Sequence, residues 1–181
     1  MGRIGLTVPP PGVPLPGLPA LLREVADAGF TDVWSSESNG ADAFTPLIVA
    51  AAEPRLRLGT AVAGYLTRGP ALLAQQAAAL AELAPGRTVI GIGASSAPIV
   101  GGWNGLPFDR RIARARDTID FLRAAFTGEP VAREFATFAS HGFRLARPPM
   151  PAPPVLLAAL GPRMLRLGLE HGDGVVLNWL A

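Results

Sequence analysis

Residues 154–180 constrain the fold more than any other part of the sequence, because they contain a complete strand, helix and strand. The runs 155–159 and 174–177 are continuously apolar, as in strands that are buried on both faces. Between them, Gly161-Pro162 ends the first strand and opens a helix, since proline is tolerated in the first helical turn. Two strands joined by one helix pair in parallel, which predicts an α/β protein whose ligand site lies at the carboxyl ends of the strands.

The length and composition indicate a single soluble domain. A chain of 181 residues has the size of one domain, and 49% hydrophobic with 17% charged residues argues against disorder. All its apolar runs are shorter than the roughly 20 residues of a membrane span, and its start lacks the pattern of a secretory signal. We therefore expect a cytoplasmic protein with no membrane partner.

The basic residues and the lack of cysteine exclude several classes of chemistry. All 16 basic residues are arginines, and the chain has neither lysine nor cysteine. Schiff-base, pyridoxal and Walker-type phosphate sites need lysine, while thiol catalysis and disulfides need cysteine. The net charge is only +2, and the one arginine cluster, at 110–116, is more typical of a solvated helix face than of a nucleic-acid site. No nucleic-acid partner is expected.

The alternation of strand and helix also runs through the preceding residues. Apolar runs predict strands over 4–8, 32–36, 57–62 and 88–92, and helix-forming stretches follow them over 18–28, 43–53, 70–83 and 109–127. Asp109 is the expected N-cap of the last of these helices. Residues 128–153 interrupt the alternation and contain two short alternating stretches, which predicts an insertion that forms a small hairpin or another excursion inside one domain over 1–181.

Six strands with intervening helices fit either an open doubly wound sheet or part of an eight-stranded barrel. A dinucleotide-binding sheet carries G-x-G-x-x-G after its first strand, whereas this chain has a proline-rich loop over 9–19. We therefore predict a TIM-barrel-like (β/α)8 fold that is incomplete, with about six of its eight strands. Such a fold leaves the first and last strands as open edges, which favours a homodimer.

Three segments, 56–96, 101–117 and 153–179, carry a family resemblance. The first is the most specific: a strand ending in GTAV, a loop with Arg-Gly-Pro, a helix closing on a Leu-x-x-Gly-Arg type turn, and a glycine-rich strand. In this order and spacing, the segments resemble the luciferase-like monooxygenase family, including its deazaflavin (coenzyme F420)-dependent oxidoreductases. The resemblance implies a TIM-like barrel with an insertion, which binds FMN or the deazaflavin at the carboxyl ends of its strands.

The resemblance also implies which residues hold the cofactor. The family's third strand often ends in a non-prolyl cis peptide against the ring, and the matching residues are Ala61 and Val62. The start of the fifth helix offers free N–H groups and the positive end of a dipole to a phosphate. From the residues alone, an ordinary strand end and an ordinary strand-to-helix turn are the preferred explanations of these two segments. The further implied cofactor residues are Gly93, Ala94, Ser95, Ser96, Ala159, Leu160, Gly161, Pro162 and Arg163.

A polar layer at the strand ends is the implied place of catalysis and of the substrate. Glu37 follows the second strand, where the family places a polar residue near the cofactor ring, and it is the candidate catalytic residue. A capping or solvated Glu37 is an equally good interpretation. The residues expected to line the substrate pocket are Ser36, Ser38, Asn178 and Trp179.

The two histidines do not predict a site of their own. His171 falls in the last turn of a helix, where an imidazolium is favoured by the dipole, and His141 has no visible partner in the predicted insertion. With no cysteine either, a metal site and a histidine-based triad are not expected.

The function implied by the resemblance is that of an oxidoreductase in which the cofactor carries the reacting hydride. The preferred cofactor is the deazaflavin F420, with hydride transfer to or from a small organic substrate, and the alternative is an FMN-dependent monooxygenase. An incomplete, non-catalytic barrel is a rival of a different class, because two strand and helix units are missing from the expected eight. A sugar-phosphate isomerase or aldolase barrel is disfavoured by the absence of lysine.

Overall fold

The computed structural model describes residues 2–178. Its strands and helices alternate along most of the chain, as the apolar pattern predicts. A short 3₁₀ turn, Leu15–Gly17, and a π-helical stretch, Pro98–Trp103, lie in the connecting loops. In chain order the elements are β1 Gly5–Val8, α1 Leu18–Asp27, β2 Asp32–Ser35, α2 Thr45–Ala50, β3 Arg57–Gly64, α3 Pro70–Leu83, β4 Thr88–Gly93, α4 Arg111–Phe126, β5 Val131–Glu134, β6 Ala139–Phe143, β7 Val155–Ala158, α5 Pro162–His171 and β8 Gly174–Val176.

Six strands form one parallel sheet in the order β1-β2-β3-β4-β7-β8. Each strand pairs with the next one of the sheet along the chain, as repeated right-handed strand–helix–strand units produce. Within residues 2–178 the sheet is not closed, and β1 and β8 are its edges. The predicted α/β architecture, with six parallel strands and open edges, is therefore confirmed.

The two faces of the sheet have different surroundings. Side chains on the outer face, such as Leu58, Ile90 and Leu157, are fully buried in the core that the helices form. The inner face carries Trp34 and several glycines, and the Trp34 ring lies where a Cβ of Gly59 would be. The outer face is thus an ordinary α/β core, whereas the inner face is only partly covered.

Helix α2 is shorter than the predicted 43–53: it runs from Thr45 to Ala50, and Phe44 is its N-cap residue. The Asp42 carboxylate accepts hydrogen bonds from the N–H groups of Phe44 at 2.8 Å and Thr45 at 3.1 Å. These N–H groups belong to the start of the helix, where no intrahelical acceptor exists. The predicted N-cap Asp109 is wrong: α4 begins after Arg110, which has φ 43° and ψ 26°, and no side chain caps it.

Substituting Asp42 by alanine is expected to lower the free energy of unfolding by about 1 kcal/mol, because two N–H groups lose their acceptor. Urea unfolding of both proteins measures the difference. Asp109→Ala is the matched control, since this acidic residue also precedes a helix and makes no cap, and its change should stay within about 0.5 kcal/mol. If the two variants lost equal free energy of unfolding, Asp42 would not stabilise the start of α2.

The segment 128–153 contains the predicted hairpin, in which β5 and β6 pair antiparallel. Four phenylalanines hold it against α4: Phe121 of the helix lies 6.0 Å from Phe135, 5.8 Å from Phe138 and 5.5 Å from Phe143, measured between ring centroids. The buried Asp117 of α4 accepts hydrogen bonds from the N–H and the hydroxyl of Thr137 at 2.7 and 2.6 Å. The hairpin therefore packs against α4, one of the helices that cover the parallel sheet.

Candidate functional site

A pocket of about 770 Å³ opens at the carboxyl ends of the parallel strands. This is the edge of an α/β sheet at which ligands bind, because the loops there are free to differ while the strands hold them in place. The volume lies within the roughly 300–1,000 Å³ of small-molecule and cofactor sites. Its lining comes from the ends of β1, β3, β4, β7 and β8 and from the first turns of α4 and α5.

Most residues implied by the family resemblance line this one pocket. The cofactor candidates among its lining residues are Ala61, Val62, Gly93, Ala94, Ser95, Ala159, Leu160, Gly161, Pro162 and Arg163, and Asn178 of the expected substrate layer is there as well. Ser96, Ser36 and Ser38 are exposed and do not belong to the lining. Trp179 lies outside the described residues.

The end of β3 forms one wall of the pocket. The peptide bond between Ala61 and Val62 is cis, as the resemblance implies, and the register between β3 and β4 shifts between Thr60 and Ala63. The Val62 side chain lies over β4, where a Cβ on Gly93 would overlap its Cγ2 atom. Glycine at this position of β4 therefore makes room for an apolar side chain against the pocket.

The start of α5 forms the opposite side and presents unpaired N–H groups. Gly161 is the N-cap in an extended conformation, no side chain caps the helix, and Pro162 has no N–H to offer. Among residues 2–178, the first N–H of this turn with a backbone acceptor is that of Leu165, which donates to the Gly161 carbonyl at 2.9 Å. The N–H groups of Arg163 and Met164 thus meet the pocket at the positive end of the helix dipole, an arrangement suited to an anion.

Arg111 is a pocket residue that the sequence analysis missed. It begins α4, and its guanidinium carbon lies 4.8 Å from the ring centroid of Phe108. The buried Tyr65, just past β3, donates a hydrogen bond to the Arg111 carbonyl at 3.0 Å, and burial raises the pKa of this phenol. Tyr65 thereby fixes the first turn of α4 beside the pocket, a long-range contact that no local pattern reveals.

The sequence reasoning also missed other lining residues of the pocket. The alternation of inward- and outward-facing side chains along each strand could have identified them. Thr7, Ala158 and Val176 occupy inward positions of β1, β7 and β8, as their register with neighbouring strands requires. Two-residue periodicity identifies such positions once the inner face is known. The remaining missed residues are Ile112, Met164 and Leu177.

Glu37 is held in an ion pair beside the pocket and is not part of its lining. Both oxygens of its carboxylate accept hydrogen bonds from the guanidinium of Arg68, a bidentate pair in which the Glu37 and Arg68 side chains are only 19% and 10% exposed. The N–H groups of Gly64 and Ala43 donate to the same carboxylate at 3.2 and 3.4 Å. Arg68 also donates to Gln76 of α3 at 3.0 Å.

This ion pair determines the charge state of Glu37. Burial alone raises the pKa of its carboxyl, but the hydrogen bonds and charge of Arg68, with those from the N–H groups of Gly64 and Ala43, outweigh it and hold the pKa below its ordinary value. Glu37 is therefore held as a carboxylate, with both of its oxygens engaged by Arg68. The arrangement joins the end of β2 to the loop after β3, and the catalytic role of Glu37 stays a prediction without a contact to the pocket.

Residues 2–178 contain no group of three or more histidine, cysteine, aspartate or glutamate side chains arranged to hold a metal ion. His141 lies in the hairpin and His171 ends α5, and neither lines the pocket. None of the helices described here has both the length and the apolar character needed to span a membrane.

Comparisons with known proteins identify the family and the fold. The model of the luciferase-like monooxygenase family matches residues 2–181. A Mycobacterium tuberculosis protein whose name assigns it to the coenzyme F420-dependent oxidoreductases is 33% identical over 168 residues, which cover 85% of this chain and 48% of that protein.

Two solved structures share the fold over nearly the whole chain. Coenzyme F420-dependent tetrahydromethanopterin reductase from Methanopyrus kandleri aligns with a TM-score of 0.86 at 22% identity, over 97% of this chain and 55% of its own. The FMN complex of a type II Baeyer–Villiger monooxygenase from Pseudomonas putida aligns with a TM-score of 0.75 at 18% identity, over 95% of this chain and 56% of its own.

These comparisons confirm the expected fold and family. The structural neighbours are TIM-barrel proteins of the luciferase-like type, and the six parallel strands described here correspond to part of such a barrel. The chain spans about half the length of the curated relative it matches, at 48%. With a family model that matches residues 2–181, the chain belongs to the luciferase-like monooxygenase family.

Proposed function

We propose that the pocket at the strand ends binds a flavin-type cofactor and that the chain supplies the cofactor-binding part of an oxidoreductase. The observation that carries this proposal is the pairing, in one pocket, of an apolar wall from β3 and β4 with the unpaired N–H groups that begin α5. A flavin or deazaflavin has the matching halves, an apolar ring system and a side chain with a phosphate.

The residues present fit such a cofactor. Ala61, Val62 and Gly93 offer small and apolar surface to a ring, and glycine on β4 keeps the space over the sheet open. The N–H groups of Arg163 and Met164 and the Arg111 guanidinium provide charge-assisted donors for a phosphate. No acidic side chain lies among the lining residues of this pocket, so an anion meets no like charge there.

In this proposal the bound cofactor supplies the hydride chemistry, and the protein binds, orients and shields it. The start of α5 would hold the phosphate end, and Ala61, Val62 and Gly93 at the strand ends would hold the ring. Asn178 lies on the lining beyond β8 and is the residue of the expected substrate layer best placed to orient a small organic substrate. The absence of lysine and cysteine is compatible with this chemistry, because no protein nucleophile takes part.

The deazaflavin F420 is the preferred cofactor, because the relative at 33% identity is named as F420-dependent. The solved FMN complex shares the fold at 18% identity, so FMN and a monooxygenase reaction form the second candidate. A cytoplasmic location and a homodimer formed through the open edges belong to the same proposal.

The test is retention of a chromophore. The purified chain is incubated with FMN and, separately, with F420, freed of excess ligand on a desalting column, and its absorption spectrum is recorded. We expect near-stoichiometric retention of at least one of the two. A folded, monodisperse sample that retains neither would rule out the proposal and favour a non-catalytic barrel fragment.

Arg111 is expected to contribute through the phosphate alone. Arg111→Gln should weaken FMN binding by about tenfold, the effect of losing one charge-assisted hydrogen bond, and leave riboflavin binding within about twofold. Fluorescence titration measures both dissociation constants. Arg23→Gln, which removes an exposed arginine on α1, is the control and should change neither. An equal loss for FMN and riboflavin would show that Arg111 does not act on the phosphate.

A further inference from the structure

A second cavity of about 390 Å³ lies between the outer surfaces of α4 and α5. We call it the arginine groove, because it is lined by Arg116, Arg163 and Arg166, with Glu170 as its one acidic side chain. Its floor is apolar and consists of Ile112, Pro162 and Leu167. The spacing of these residues places them on one face of each helix, so the groove follows directly from the packing of α4 on α5.

The nearby acidic residues do not neutralise these arginines, because they are engaged elsewhere. Asp117 binds Thr137, and Asp120 lies 3.7 Å from the guanidinium of Arg133. Asp173 pairs with Arg123 at 2.8 Å and accepts the N–H of Val155 at 2.7 Å.

The groove therefore carries an excess of positive charge. Within residues 2–178, none of its three arginines takes part in an ion pair or a side-chain hydrogen bond. Three arginines and one glutamate line this cavity, in a chain whose net charge is only +2. Such a local concentration of one sign attracts anions and raises their local concentration.

The arginine groove is continuous with the pocket at the strand ends. Ile112, Pro162 and Arg163 line both cavities, so the two meet around the first turn of α5. A ligand whose phosphate lies at that turn has its free end directed either back into the pocket or onward into the groove. The onward path offers Arg116 and Arg166 after Arg163.

We propose that the arginine groove is a second anion-binding subsite, which holds a carboxylate- or phosphate-bearing extension of the bound cofactor beyond its first phosphate. This inference rests on the proposed function, since the extension must belong to a ligand seated in the pocket. Guanidinium groups suit it because their planar donors bind both carboxylates and phosphates in bidentate fashion. The apolar floor accommodates the linking carbon atoms.

Three ligands separate the candidate extensions. FMN ends at its phosphate, F420 continues past its phosphate into a carboxylate-bearing tail, and FAD continues into a second phosphate. The full chain is titrated with each ligand, with the cofactor's fluorescence or absorption as the signal. Arg116→Gln/Arg166→Gln is the test variant, because both side chains are exposed and neither lines the cofactor pocket.

We expect the double variant to bind F420 at least tenfold more weakly and FMN within twofold of the wild type. If the double variant loses affinity for F420 alone, the groove is selective for carboxylates. If it loses affinity for FAD to the same extent, the groove binds anions in general. The dependence of F420 affinity on salt concentration should also become shallower, since two charges are removed. Glu170→Gln should raise the F420 affinity two- to threefold, and Arg23→Gln should leave it unchanged.

Two results would contradict the proposed subsite, and both can be distinguished from a result that contradicts the proposed function. If wild type and double variant bind F420 and FAD equally well, the groove holds no extension although the pocket binds cofactor. If the double variant loses FMN as strongly as F420, the arginines act on the pocket and not on an extension. A wild type that binds none of the three ligands would overturn the proposed function, and the subsite with it.

Discussion

Replacing Glu37 by glutamine is expected to lower the free energy of unfolding by about 3 kcal/mol, the cost of leaving one member of a largely buried ion pair without its partner. The variant keeps the shape of the side chain but removes the charge that offsets the guanidinium of Arg68, which is 10% exposed. It also weakens the acceptor for the N–H groups of Gly64 and Ala43. Urea unfolding of the two proteins gives the difference.

An exposed ion pair of the same chain provides the control. Arg147 and Glu82 also form an ion pair, but their side chains are 77% and 45% exposed. Glu82→Gln should therefore change the free energy of unfolding by less than about 1 kcal/mol, because water already solvates both charges. If Glu37→Gln were no more destabilising than Glu82→Gln, the pair beside the pocket would have no special structural role.

The same pair predicts a pH dependence with a definite sign. The folded-state pKa of Glu37 lies below its ordinary value of 4.5, so the carboxylate stabilises the fold at any pH above that value. This contribution is lost as the pH falls from 4.5 through the folded-state pKa. The stability gap between wild type and Glu37→Gln should be full at neutral pH and shrink in acid. A gap that stays constant into strong acid would contradict the assigned charge state.

Gly91→Ala is expected to lower the free energy of unfolding by about 3 kcal/mol, as much as Glu37→Gln, because there is no room for a methyl group at this point of β4. A Cβ on Gly91 would overlap the backbone carbonyl oxygen of Thr60 on the neighbouring strand. Backbone of a paired strand cannot yield as a side chain does, and the hydroxyl of Thr60 also donates to the Gly91 carbonyl at 2.7 Å.

Gly102→Ala is the matched control for this substitution, since a Cβ there meets nothing within 4 Å. Its effect on the free energy of unfolding should remain within about 0.5 kcal/mol. Gly91→Ala should also weaken cofactor binding, because Val62 of the pocket wall packs over the same part of β4. A Gly91→Ala protein as stable as Gly102→Ala would mean that β3 and β4 approach each other less closely than described.

Local sequence patterns were sufficient for the elements that depend on local interactions. Helix α3 occupies the predicted 70–83, since Pro70 suits the first turn and good helix formers follow it. The strand and helix alternation and the hairpin inside 128–153 were predicted from periodicity in the same way. Periodicity works here because each element buries one face against the same core.

The parts that the sequence did not predict depend on contacts between distant residues. Glu37 and Arg68 are 31 positions apart, and Tyr65 and Arg111 are 46 apart, so no local pattern pairs them. The expected N-cap Asp109 failed because Arg110 turns the chain with a positive φ before α4 begins. The pocket residues were found through the family resemblance, whereas the additional lining residues required the register of the strands.

A crystal structure of the chain soaked with FMN or F420 tests the central claim most directly. We predict that the ring lies against Ala61 and Val62 and that the phosphate accepts hydrogen bonds from the N–H groups of Arg163 and Met164. Cofactor density at any other place in the fold, or a phosphate away from the start of α5, would contradict the proposed site.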